Sequence, residues 1–231
     1  MSGGYYSVDV TDTISVLVMS NEYFDEDADD SVYDGEPNEQ LSWLEWKLSS
    51  ARADGRKYII AGHVYPGARY HSTQMWHSDY NERYFQILRD NYDSVIIEVM
   101  GHEHFADLRY HSSHNVLDMD DTEDKYDFHN MFIAPGVTPN KGQNPGVAMF
   151  EVSDDGVPSN LTMEFIDLLP TLGQSSVAYD DLTFLTLPLS DYGVTEITAS
   201  SLSEFRKALE DDKDMALEYL TRKMGFNPES E

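Results

Sequence analysis

The sequence predicts an α/β fold, and three observations carry that expectation. Two apolar strands, Tyr58-Ile59-Ile60-Ala61 and Val95-Ile96-Ile97-Glu98-Val99-Met100, run straight into Gly62-His63 and Gly101-His102-Glu103-His104. One helix-sized segment separates them, which is the layout of a βαβ unit with parallel neighbouring strands. The stretch Ser94 to Met100 is apolar at nearly every position, the pattern of a parallel strand covered on both faces.

The elements follow in order. Tyr5 to Val10 and Thr13 to Met19 are β-rich runs separated by Thr11-Asp12 and read as a hairpin or two neighbouring strands. After an acidic loop, Asn38 is the expected N-cap of a helix, with Glu39 in its first turn and Leu41, Leu44, Leu48 and Ala51 at helical spacing. Gly55 ends it. The strand Lys57 to Ala61 leads into a loop with Pro66 and Gly67, and Trp76 to Asn91 carries Tyr80, Tyr84, Ile87 and Leu88 at the spacing of an amphipathic helix. Further strands are expected at Leu108 to Tyr110, Met131 to Ala134, Val147 to Val152 and Leu161 to Leu168. In the tail, Ser201 and Glu204 form a capping-box pattern, Leu202, Phe205, Leu209, Met215, Leu217 and Leu220 supply apolar faces, and Gly225 and Pro228 terminate the helical material. With no internal repeat and no low-complexity linker, one domain over 1–168 and a helical extension over 169–231 are expected.

Composition narrows the classes of function. The 231 residues carry a formal net charge of −28, with acids concentrated at Asp25 to Asp30 and Asp118 to Asp124. No basic cluster is present, which argues against a nucleic-acid polymer or an anionic membrane surface as partner. Zero cysteines rule out disulfides, thiolate catalysis and cysteine-type zinc sites. No apolar run approaches membrane-spanning length, and Met1-Ser2-Gly3-Gly4-Tyr5 has neither a basic start nor an apolar stretch, so no signal peptide is visible.

The chemistry concentrates in the Gly-His strand ends. Imidazole is the commonest protein metal ligand, and the rim outside the strand ends is where open α/β sheets bind ligands. In extended backbone His102 and His104, two apart, project to the same side, and His63 would arrive from the neighbouring strand. His63, His102 and His104 are therefore candidate metal ligands. The bland alternative is three polar residues hydrogen-bonded to backbone. His71, His77, His111, His114 and His129 have no convergent partners in sequence and are expected at the surface, with His71 a possible border of the cleft. The segment Asp25 to Glu36 places acids at positions one, three, five and twelve of a calcium-loop register. Asp30 stands where the loop needs glycine, so it reads as a solvated acidic loop, with weak calcium affinity left open. Asn160-Leu161-Thr162 is the one glycosylation sequon, relevant if the chain is secreted.

A series of segments, taken together, resembles the acid sphingomyelinase-like phosphodiesterases, within the calcineurin-like metallophosphoesterases. These are Gly3-Gly4-Tyr5-Tyr6-Ser7, Gln40-Leu41-Ser42-Trp43-Leu44, Gly62-His63-Val64-Tyr65-Pro66-Gly67, then Trp76, Asn81 and Tyr84. Gly101-His102-Glu103-His104, Ala134-Pro135-Gly136-Val137-Thr138-Pro139 and Asn144-Pro145-Gly146 complete the series. The likeness spans about 3–152 and only loosely the tail. It implies an α+β sandwich, a β-sandwich flanked by helices, of which this chain would be the C-terminal half. It also implies a two-metal centre, usually zinc, in which His63 and His102 ligate one ion and His104 the other. Two such ions activate a water against a phosphodiester, in a sphingomyelin headgroup or a nucleotide. The family is typically secreted or lysosomal.

The departures shape the functional expectation. The resemblance puts the family's Asp-x-His pair, bridging Asp, Asn-His pair and leaving-group histidine before the start of this chain, and none of the four is expected within it. His114-Asn115 reverses the Asn-His order, Tyr65 replaces a proline where a substrate contact could lie, and Asp107 falls one residue late. Three histidines without the bridging carboxylate make a poor two-metal site. A metal-dependent phosphodiester hydrolase, inactive or nearly so as this chain, is the leading expectation. A non-catalytic acidic binding or scaffold protein that keeps part of the fold is the alternative.

Overall fold

A computed structural model describes residues 3–29, 35–69, 73–112, 127–139, 141–174 and 176–226. The chain divides into two units, Met1–His102 with Tyr110–Phe132, and Glu103–Arg109 with Ile133–Glu231. The fold is mixed α/β, with one six-stranded mixed sheet, one three-stranded antiparallel sheet and four α-helices among the described residues.

In the first unit, β1 (Tyr6–Asp9) and β2 (Ile14–Val18) form the expected antiparallel hairpin. Helix α1 (Glu36–Asp54) then returns the chain to β3 (Lys57–Ala61), which lies parallel to β2. Helix α2 (Ser78–Asp90) returns it again to β4 (Val95–Met100), parallel to β3. The βαβ unit expected between the two Gly-His strand ends is therefore present, preceded by a second crossover of the same kind. With β5 (Asp107–Ser112) and β6 (Asp127–Ile133), the sheet order is β1-β2-β3-β4-β6-β5.

Two helix starts differ from expectation. Helix α1 begins after Gly35, in the left-handed region, with Pro37 in its first turn. Proline's fixed φ and missing N–H suit that position, so Asn38 lies inside the helix, where its carbonyl and Oδ1 accept from Arg83. Gly55, also left-handed, ends α1 as anticipated. Helix α2 begins at Ser78 because Trp76 is fully buried ahead of it, its Nε1 donating to the Val64 carbonyl at 3.0 Å. Leu41, Leu44, Leu48 and Ala51 are all buried along α1, with Leu17, Ile60 and Ile97 from the sheet and Tyr84 and Leu88 from α2. Buried Gln40 fixes the helix to the exit of β2, donating to the Ser20 carbonyl at 3.0 Å and accepting from its N–H at 2.8 Å.

The second unit is built on β7 (Gly146–Val152), β8 (Pro158–Asp167) and β9 (Thr183–Pro188), antiparallel in that order. Strand β9 was not anticipated, so the tail is helical only after it. Helices α3 (Ala199–Asp211) and α4 (Lys213–Arg222) follow. The capping box of α3 pairs Thr198 with Ser201 rather than Ser201 with Glu204: the Ser201 N–H donates to Thr198 Oγ1 and the Thr198 N–H to Ser201 Oγ. Asp212 breaks the tail into two helices by accepting from the N–H groups of Asp214 and Met215, both at 3.0 Å. Phe205 and Tyr219 meet edge to face at 4.9 Å in the core, whereas Leu217 and Leu220 are exposed.

These burial patterns separate two neighbours on α1. Leu44→Ala, at a site with 0% exposure, is expected to cost about 2–5 kcal/mol. Trp46→Ala, at a site 60% exposed, should stay within about 0.5 kcal/mol of the parent. Urea unfolding of the two variants reads both values.

Candidate functional site

Local packing explains why a histidine leaves β3 where it does. Asn21, fully buried after β2, accepts from the N–H groups of His63 (2.7 Å) and Val64 (3.1 Å) through Oδ1. Its Nδ2 donates to the Val64 carbonyl at 2.7 Å. A Cβ at position 62 would lie 2.2 Å from Asn21 Nδ2, so glycine is required there for close approach and not for a turn. At β4, a Cβ on Gly101 would come within 3.3 Å of His63 Nδ1. The residues that take the left-handed turn are the histidines themselves, His102 at φ 77° and His104 at φ 67°.

That finding corrects the reading of the Gly-His-Glu-His turn. The backbone is not extended there, so the spacing of two does not by itself put His102 and His104 on one side. His63 and His102 do come together, their rings 5.3 Å apart and edge to face. His104 belongs to the second unit, where its Nδ1 is buried without a hydrogen-bond partner and its carbonyl accepts from the Gly136 N–H at 2.9 Å. Non-glycine residues at positive φ hold that conformation only where their surroundings enforce it, and such strain gathers at functional sites. Among the described residues, no group of three or more His, Cys, Asp or Glu is placed to hold a metal ion. The donors present are nevertheless of the kind zinc takes, neutral imidazole nitrogens, and the unpartnered His104 Nδ1 is the sort of atom a ligand would satisfy.

The remaining candidates fall elsewhere. Tyr65 is fully buried. Asp107 pairs with Lys223 at 3.0 Å and Arg109 at 3.1 Å. Asn160 is exposed on β8, its amide donating to Glu151 at 2.8 Å. His71, His114 and part of the acidic segment Asp25 to Glu36 lie outside the described residues. His77 is half-buried at the start of α2, its ring near the Ala28 carbonyl.

His111 and His129 overturn the surface assignment made for them. Both converge on Glu98, which is fully buried in the middle of β4. His111 Nε2 donates to Glu98 Oε2 at 2.6 Å, and His129 Nε2 stands 3.2 Å from the same oxygen without the alignment of a hydrogen bond. Tyr84 donates its hydroxyl to Glu98 Oε1, and the two imidazoles stack at 5.7 Å. An Asp-x-His triplet thus does occur in the chain, Asp127-Phe128-His129 on β6, with its histidine turned to this cluster. The sequence signal for the cluster was Glu98 itself: a carboxylate in a strand covered on both faces must find buried donors. Burial alone raises the Glu98 carboxyl, but the charges of His111 and His129 and the bond from His111 bring it to about 2. Burial lowers His129, only partly offset by Glu98. Burial, then the Glu98 charge and hydrogen bond, raise Tyr84.

Comparison with known proteins adds a second line of observation. No family model matches the chain. It is 28% identical over 181 residues to the human acid sphingomyelinase-like phosphodiesterase 3b, covering 72% of this chain and 37% of the relative. Against the rat cyclic GMP-AMP phosphodiesterase SMPDL3A the identity is 27% over 214 residues, 87% of this chain and 45% of the relative. A sphingomyelinase phosphodiesterase D of Dictyostelium discoideum is 27% identical over 128 residues, 55% and 28% respectively. The chain thus spans 28% to 45% of the length of the curated relatives it matches.

Two of the three shifted groups of the Glu98 cluster, His129 and Glu98, destabilise the fold in acid. His129, lowered from 6.5, binds its proton more readily unfolded, so its contribution is intact above pH 6.5 and is lost as pH falls below it. Glu98, lowered from 4.5 to about 2, adds a further loss as pH falls from 4.5 toward 2. Melting temperature is expected to fall from pH 7 to 5.5, and to fall less in His129→Gln. An equal fall in both proteins would contradict this account. Tyr84→Phe, which removes a hydrogen bond to a buried charge, should cost about 1.5–3 kcal/mol at pH 7.

Proposed function

We propose, on the premise that this chain is a relative of the acid sphingomyelinase-like phosphodiesterases, that it carries part of a zinc-dependent phosphodiester-hydrolase site at the ends of β3 and β4. The observation that carries the reading is the meeting of His63 and His102 at 5.3 Å on two adjacent parallel strands, in the segments where the resemblance calls for metal ligands.

His63 and His102 would hold one zinc ion and His104 would contribute to a second. Bound zinc supplies a Lewis acid for a phosphoryl oxygen and lowers the pKa of a coordinated water. The chain's own residues set up the geometry. Asn21 fixes the backbone from which His63 projects, and Gly101 keeps the second strand close to the His63 ring. The class of substrate is a phosphodiester, of the sphingolipid-headgroup or nucleotide type that the relatives' names describe. The two-imidazole donor set supports a chain with little or no turnover by itself, because no third His, Cys, Asp or Glu is placed to complete a metal group among the described residues.

A second reading, a non-catalytic binding or scaffold protein, is favoured by two observations: no three-ligand metal group among the described residues, and a net charge of −28. Zinc titration by calorimetry separates the two. The hydrolase reading expects fewer than two zinc equivalents, with binding lost in both His63→Gln and His102→Gln. Zinc binding indifferent to both substitutions sinks it. Added zinc should leave hydrolysis of a chromogenic phosphodiester at the level of the His102→Gln protein.

A further inference from the structure

Arg69 Nη2 lies 2.9 Å from His102 Nε2. A guanidinium has five N–H donors and no acceptor, and it stays protonated. In this contact His102 Nε2 therefore accepts, and the imidazole proton sits on Nδ1. The lone pair that meets Arg69 is the lone pair a metal would need, since a neutral imidazole has only one such nitrogen. One lone pair cannot serve both.

The hairpin that delivers Arg69 is anchored at several points. The Gly67 N–H donates to Asn81 Oδ1 on α2 at 2.8 Å. The Met75 N–H donates to the Gly67 carbonyl, and the Arg69 N–H to the Thr73 carbonyl, both at 2.8 Å. Ala68 and Gln74 form a bridge between them. The guanidinium thus reaches His102 from a held backbone, and it places a permanent positive charge beside the nitrogen a dication would bind.

We propose that Arg69 is an internal competitor for zinc: its guanidinium occupies the metal-coordinating nitrogen of His102 and holds down zinc affinity at the His63–His102 pair. Zinc binding at this pair requires Arg69 to leave. This inference rests on the zinc reading of the pair given above.

The experiment titrates zinc into the chelator-stripped, full-length chain by calorimetry, with parent, Arg69→Gln, Arg69→Gln/His102→Gln and Arg83→Gln proteins side by side. Arg83, on α2 and bonded to Asn38 and Ser42, controls for the loss of one positive charge at a distance. Arg69→Gln is expected to bind zinc at least tenfold more tightly than the parent, the double variant to lose the gain, and Arg83→Gln to match the parent. In the metal-free protein, nitrogen NMR should show His102 Nε2 unprotonated in the parent and its signal shifted in Arg69→Gln. Equal zinc affinity in parent and Arg69→Gln, with binding still dependent on His102, overturns the competition and leaves the zinc reading standing. An equal gain in Arg83→Gln overturns it too, because the effect is then general charge. Zinc binding in neither protein removes the zinc reading and the competition with it.

Discussion

The buried amide of Asn21 is the constraint on which the His63–His102 region depends. It satisfies two consecutive backbone N–H groups and one carbonyl of the loop leaving β3, and its Nδ2 also lies 3.5 Å from Met100 Sδ at the end of β4. A loop that turns its polar backbone inward would otherwise bury orphaned groups, at about 1–3 kcal/mol each. With those groups consumed below, the imidazole of His63 is free to stand outward. Glycine at position 62 is the steric counterpart of the same contact. One asparagine contributed by the end of the first hairpin therefore organises the exits of two later strands.

Much of this was legible in the residues, and the misses have physical reasons. Alternation and apolar runs identified β2, β3 and β4, because burial of a strand writes itself directly into side-chain type. The end of α1 was readable from Gly55, whose left-handed cap has one cheap residue. Its start was not, because a glycine N-cap with proline just inside competes with the more familiar asparagine signal. Strand β9 escaped notice because its Thr183, Phe184 and Leu185 are not buried and so carry weak patterning. At the site, the approach of His63 to His102 followed from parallel neighbours. The backbone at His102 and His104 did not, since positive φ outside glycine is marked in sequence only by a general enrichment in Asn, Asp and His. Arg69 was also invisible: its hairpin closes through backbone bonds that any residues could make.

Two pairs of histidines in one unit illustrate how surroundings assign chemistry to the same side chain. His63 and His102 stand toward solvent, and His102 accepts a hydrogen bond from a cation. His129 is buried on β6 and His111 half-buried on β5, with His111 donating to an anion. In the first pair the His102 acceptor nitrogen is already met by a guanidinium. In the second pair both Nε2 atoms face one buried carboxylate. Counting histidines therefore says little about a metal site until the partner of each ring nitrogen is known.

The Glu98 cluster has a consequence for how this sequence can drift. Its four members come from β4, α2, β5 and β6, far apart along the chain. Loss of Glu98 alone strands a tyrosine hydroxyl and an imidazole N–H in the core, and loss of a donor alone leaves a buried anion short of a partner. Exchange of the whole set for apolar side chains removes every such penalty at once. The intermediate steps lie downhill from neither end, so these four positions are expected to vary together between relatives or not at all.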